Sequence, residues 1–213
     1  MLKGGPEAVL GLVQSHLHAI YRTEAPDVRR FLVDADQLGE LREGDARGAD
    51  EWVLVRESDD GLDIAVWIDE GLLEDLAGAA DPAEAVTEHL RGFCAVVEGI
   101  SHFLLLVERA RRQEPLTLLE LETQAEVDKF VCASLHRPGR DSELHARLFR
   151  DAQLCEGLGQ GERIRYAEAG RLAAGWCRWL ASLPHLQARL DAQRQFWRTA
   201  GSRRMDRLRR MAA

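Results

Sequence analysis

The sequence predicts an α+β fold that is predominantly α-helical: a multi-helix, bundle-like domain with one small antiparallel β-hairpin in its N-terminal third. Three observations predict it. Apolar residues recur at i, i+3 and i+4 along most of the chain, the spacing of amphipathic helices. One stretch, "EWVLVRESDDGLDIAVWID", places β-branched runs on either side of a tight-turn signal. From residue 70 onward every segment reads as helix.

Pro6 followed by Val9, Leu10, Val13, Leu17 and Ile20 sets an amphipathic helix over residues 6 to 22. Residues 23 to 50 are rich in Asp, Glu and Gly and read as a connector with one short element at "RRFLVDADQL". The hairpin is expected at about residues 52–68. Its Ser-Asp-Asp-Gly turn supplies the positive φ angles a tight turn needs. Leu62, Ile64, Val66 and Ile68 alternate with Asp63, Ala65, Trp67 and Asp69, so one face is meant to be covered. A lone hairpin is marginal in water, so helices or another strand must pack on it. "DPAE" at residues 81 to 84 opens a long helix running to about residue 112, with Asp81 as cap and Pro82 in the first turn. Pro115 starts another, to about residue 135, and "RPGRDSE" separates it from a third with Leu144, Leu148, Ala152 and Cys155 in a stripe. "EGLGQGE" breaks that helix. A further helix covers residues 162 to 183, and Pro184 forces a new start, with Leu186, Leu190 and Trp197 continuing the pattern.

Domain organisation follows as residues 1–200 in one mostly helical domain and residues 201–213 as a basic C-terminal helix or tail. With 46% hydrophobic and 30% charged residues, wholesale disorder is excluded. The start lacks a basic cluster and a cleavable apolar run, and the most apolar segment is interrupted by Glu98 and His102. A cytoplasmic location without a transmembrane segment is therefore expected. Cys94, Cys132, Cys155 and Cys177 form no C-x-x-C pair and read as reduced, buried small hydrophobes.

The segment "CAVVEGISHFLLLVERA" carries an acid and an imidazole four residues apart in an apolar helix. On a helical wheel Glu98 and His102 share a line with Glu84, Arg91, Ala95 and Arg109, opposite a wide apolar sector. Either the line is a solvated face, or it is buried and must be satisfied. The next helix, "LLELETQAEVDKF", is apolar almost all round yet carries Glu122 and Glu126 on one face. Two adjacent helices would then present Glu98, His102, Glu122 and Glu126 to one another, either as a polar clamp or as the ligands of a divalent metal. The paired Glu-x-x-His of diiron bundles, H-E-x-x-H and a spaced Cys/His zinc set are absent.

"GLGQG" lacks the preceding strand and following Lys-Ser or Lys-Thr of a phosphate loop and reads as a helix breaker. From Arg194 to the end, seven arginines face one acid, a charge of +6 in a chain of net −8, so the rest carries −14. Met205, Leu208 and Met211 recur every three residues among them, making a basic amphipathic helix. Arg203, Arg204, Arg207, Arg209 and Arg210 are its candidate partner-binding residues. These features favour a non-catalytic cytoplasmic interaction or accessory protein, docking to a protein partner or to itself through its acidic body and basic tail. The alternatives are a metal-binding protein or metal-dependent enzyme using the Glu/His cluster, and nucleic-acid binding through the tail.

Overall fold

A computed structural model describes residues 5–41, 49–58, 61–151 and 158–212. It shows the predominantly helical α+β architecture. The described elements are α1 (Gly5–Tyr21), a 3-10 turn (Val28–Phe31), α2 (Ala35–Leu41), β1 (Glu51–Ser58), β2 (Gly61–Ile68) and α3 (Glu70–Gly78). There follow α4 (Pro82–Glu88), α5 (Leu90–Arg112), α6 (Leu118–His136), α7 (Asp141–His145), a π-helical turn (Ala146–Arg150), α8 (Gln160–Ser182), α9 (Leu186–Arg198) and α10 (Gly201–Ala212).

Local chemistry sets most boundaries. Asp69 caps α3 by accepting from the Leu72 amide at 3.0 Å, and Asp81 caps α4 through the amides of Ala83 and Glu84. Thr117 and Glu120 form a reciprocal capping box, so α6 begins after Pro115 and Leu116 rather than at the proline. Gln113 adopts φ 52° and ends α5 as a left-handed cap.

The long helix expected from Asp81 to residue 112 is two helices. His89 leaves the helical region at φ −121°, ψ 37°, and Arg147 Nη2 donates to the Thr87 carbonyl at 3.3 Å. The kink lets the start of α5 press on α3: a Cβ on Gly92 would lie 3.0 Å from the Leu72 carbonyl oxygen. The third helix is also shorter than its stripe suggests, passing after His145 into the π turn. Leu144 and Leu148 are buried, while Ala152 and Cys155 lie outside the described residues.

β1 and β2 pair antiparallel, Glu51 opposite Ile68 and Ser58 opposite Gly61; Asp59 and Asp60 of the turn lie outside the described residues. β2 gains a third neighbour where the Val33 amide donates to the Val66 carbonyl at 3.0 Å, and α5 covers the sheet's apolar face. This meets the requirement that a lone hairpin be covered.

Helix α5 lies at the centre. Val97, Ile100, Phe103 and Leu105 are all 0% exposed, in one core with side chains of α1, α6, α8, α9 and α10. By length and composition α5 is apolar enough to cross a membrane despite Glu98 and His102, and 67% of its most apolar window is buried inside the fold, as in a core helix. Cys132 and Cys177 are buried and unpaired, and Cys94 is half-buried.

Candidate metal centre

The stripe on α5 is open only at its first turn, where Arg91 reaches Asp50 at 2.8 Å. Ala95, His102 and Arg109 are 3%, 6% and 2% exposed. The solvated-face reading therefore fails for its middle, because β1, α6 and α8 close over that side. Arg109 turns away from the cluster, pairing with Glu114 and donating to the carbonyls of Trp197 and Thr199.

Helix α6 packs against both α5 and α8 and brings Glu122 and Glu126 to the stripe. His102 Nε2 lies 3.5 Å from Glu122 Oε2. Ligand-type atoms of Glu98, His102 and Glu122 all lie within 4.8 Å of one another. Glu126 stands one step aside: Lys129 Nζ bridges it at 2.7 Å to Glu98 at 2.6 Å. Arg165 of α8 borders the other side, its Nε 3.4 Å from Glu122 Oε1. Thus the four residues expected from sequence converge, with a lysine in their midst and an arginine at the edge.

Glu51 joins them from the hairpin and is absent from the sequence reading. A Cβ placed on Gly99, on α5, would be 3.5 Å from Glu51 Oε2. Val53, two positions along the strand and on the same face, packs on the core, which turns Glu51 inward as well. Four carboxylates thus meet three basic groups. Burial, opposed chiefly by His102, pushes the Glu51 carboxyl up to about 8. Burial alone would lower the His102 imidazole, but Glu122, Glu51 and Glu98 override it and raise it to about 9. Burial likewise opposes ionisation of Glu98, and Lys129 and His102 more than reverse this, leaving its carboxyl below the usual range. Glu126 goes the other way, its burial outweighing Lys129.

The cluster is not closed on itself. His102 Nε2 and Glu122 Oε2 sit at ion-pair distance but lack hydrogen-bond alignment, and each is a buried atom without a hydrogen-bond partner among the described residues. Glu51 Oε2 and Arg165 Nε share that condition. Buried polar atoms are nearly always hydrogen-bonded, so the His102–Glu122 pair, under-bonded at 3.5 Å, marks a place that a polar guest would complete.

Beside it runs a second buried network in which Tyr21, Ser101, Gln124, Asp128, Trp176 and Gln193 are all hydrogen-bonded, while Arg204, which donates into it, keeps Nε and Nη1 without partners among the described residues. Asp128 accepts from Ser101 Oγ at 2.6 Å, from Gln124 Nε2 at 2.8 Å and from the Tyr21 hydroxyl. Gln193 Nε2 donates to the Tyr21 oxygen at 3.1 Å, and Gln193 Oε1 accepts from Trp176 Nε1 at 2.6 Å.

The C-terminal arginines divide. Arg204 is 0% exposed, donating to Gln124 and stacked with its guanidinium 4.1 Å from the Phe196 ring, so it belongs to the core and not to an outward surface. Burial pulls its pKa down to about 10. Arg207 lies 4.7 Å over the Trp176 ring, and Arg209 pairs with Asp206 at 3.4 Å. Arg203 and Arg210 are exposed. Met205 and Leu208 are buried, so α10 is seated on the body. Hydrophobic period three cannot distinguish a tail awaiting a partner from one whose partner is its own chain. No protein-family model, curated protein or solved structure matches the chain, so the geometry of the Glu/His cluster stands as its own argument.

Proposed function

We propose that the protein binds a divalent metal ion through Glu98, His102 and Glu122. The observation that carries this is the convergence of three ligand atoms from two helices within 4.8 Å, with His102 Nε2 and Glu122 Oε2 buried and lacking hydrogen-bond partners among the described residues. Metal–nitrogen and metal–oxygen bonds of about 2.1 Å allow ligands at most about 4.2 Å apart. The set therefore needs a contraction of about 0.3 Å per ligand at its widest, within reach of a side-chain rotation. Two carboxylates and one imidazole suit Mn²⁺, Fe²⁺ or Zn²⁺ better than a thiolate-seeking ion.

Two influences oppose the ion: His102, raised to about 9, carries a proton at neutral pH that the metal must displace, so binding should tighten as pH rises, and Lys129 competes for the acids. Lys129 neutralises parts of Glu98 and Glu126 but engages one oxygen of Glu98, leaving the second for an ion. Glu51, beside the same residues, is the further carboxyl available to a bound ion or its water, so the site suits metal-assisted hydrolysis. A docking role through the basic helix has weaker support, because Arg204, Met205 and Leu208 already serve the fold.

The test is titration of chelator-treated, untagged protein with Mn²⁺, following loss of the free-ion paramagnetic resonance signal. One ion per chain is expected, with affinity falling at least 100-fold in His102→Ala and in Glu122→Gln. Unchanged stoichiometry and affinity in both variants, or no binding by the wild type, overturns the proposal.

A further inference from the structure

Away from the Glu/His cluster, α1 and the last turn of α6 bring two histidines together. His16 stands beside Val13, Leu17 and Ile20, the buried residues that seat α1, and His136 is the last residue of α6. Their ring centroids lie 4.9 Å apart, with the planes tilted by 47°. Phe93 of α5, itself buried, packs edge-on against His136 at 6.3 Å and fixes the place of that ring. Both imidazoles are half-buried, and both line a cleft of about 210 Å³ whose other walls are Ala19, Ile20, Leu135 and Leu190. His18 contacts Gln14 and His145 contacts the Ala174 carbonyl, but neither His16 nor His136 makes a hydrogen bond among the described residues.

The separation of the rings decides what such a pair can hold. Rotation about Cβ–Cγ swings the nitrogens of an imidazole while leaving its centroid almost in place, so the distance between centroids is the geometric test. With metal–nitrogen bonds of about 2.1 Å and ring nitrogens about 1.1 Å from their centroids, two imidazoles on one ion have centroids about 4.5 Å apart at a right angle and about 5.2 Å apart at the tetrahedral angle. The 4.9 Å between His16 and His136 falls between these limits. Burial lowers both imidazoles from 6.5, His16 adding to the effect on His136 and Asp81 opposing it, so at pH 7 each offers a lone pair without loss of a proton. Imidazole ligation without a thiolate suits the later first-row ions, and an oxygen-seeking ion such as Mn²⁺ is poorly served by it.

From this geometry we propose that His16 and His136 bind one Cu²⁺, Ni²⁺ or Zn²⁺ ion as a two-imidazole clamp that ties α1 to the end of α6, with the remaining coordination positions open to the cleft. The proposal does not depend on metal binding by Glu98, His102 and Glu122.

Cu²⁺ is the probe, added below one equivalent to chelator-treated, untagged, ¹⁵N-labelled full-length protein. Paramagnetic broadening of amide resonances should begin around residue 16 in α1 and residue 136 in α6 together, and pulsed electron paramagnetic resonance should detect two coordinated imidazoles. His16→Gln and His136→Gln should each leave one imidazole and weaken Cu²⁺ binding at least tenfold. Ni²⁺ should raise the thermal midpoint of the wild type and leave that of either variant unchanged. Broadening centred on His102 or on a single one of the two histidines, a one-imidazole signal in the wild type, or unchanged Cu²⁺ affinity in both variants would reduce the pair to a packing contact and overturn the proposal.

Discussion

Asp128 offers the sharpest energetic test of the core. Its carboxylate is 0% exposed and takes hydrogen bonds from Tyr21, Ser101 and Gln124. Burial pushes its pKa up to about 6, the three donors and Arg204 opposing. The unfolded value is about 3.9. Because the folded value is the higher, the folded state holds the proton more tightly. This group's contribution is most favourable below about pH 4, is lost as pH rises to about 6, and is flat above. At about 1.4 kcal/mol per pH unit, the loss between pH 4.5 and pH 7.5 is about 2 kcal/mol. Asp128→Asn removes the titration yet keeps an acceptor for Tyr21 and Gln124, while Ser101 can reverse and accept from the amide. The expected result, from urea unfolding at several pH values, is that the variant gains about 2 kcal/mol relative to wild type between those limits. Asp128→Ala, which strands all three donors, should be about 4 kcal/mol less stable than Asp128→Asn at every pH, since neither variant titrates. A pH-independent difference between wild type and the Asn variant, or equal damage from Asn and Ala, would refute the reasoning.

Gly175→Ala should lower stability by about 2 kcal/mol, measured by thermal unfolding, because the added Cβ would sit 2.6 Å from the Met211 carbonyl oxygen and 2.7 Å from Ala212 Cα. Removing residues 201 to 212 should act in the same direction and more strongly, since it exposes the sites of Arg204, Met205 and Leu208; a truncated chain with an unchanged midpoint contradicts the seating of α10. Lys129→Met should lower the thermal midpoint by stranding Glu98 and Glu126, and should tighten Mn²⁺ binding about tenfold by removing the competing ammonium, as read by resonance titration.

Helix periodicity made most of the fold legible, and with it the convergence of Glu98, His102, Glu122 and Glu126, because spacing of four on each of two apolar helices fixes a shared face. What spacing leaves open is the neighbour that covers the face. Glu51 reaches the cluster from a strand some forty-seven positions before Glu98, a relation set by tertiary packing alone. Lys129 follows the acids in plain view, yet lysine is normally solvated and reads as surface. Arg204 stands among six other arginines near the C-terminus with nothing local to distinguish it, and only its seat between Gln124 and Phe196 sets it apart. The break at His89 has no Gly or Pro to announce it; it reflects the close approach of Gly92 to α3 and the capture of the Thr87 carbonyl by Arg147.

The central claim is that Glu98, His102 and Glu122 hold one metal ion. Crystals grown with Mn²⁺ and measured on both sides of the manganese absorption edge test it most directly. The expected result is a single anomalous peak about 2.2 Å from His102 Nε2 and from a carboxylate oxygen of each glutamate, with Lys129 displaced toward Glu126. An anomalous map with no peak there, and His102 instead hydrogen-bonded to Glu122 beside an intact Glu98–Lys129–Glu126 bridge, would make the cluster a polar clamp and contradict the claim.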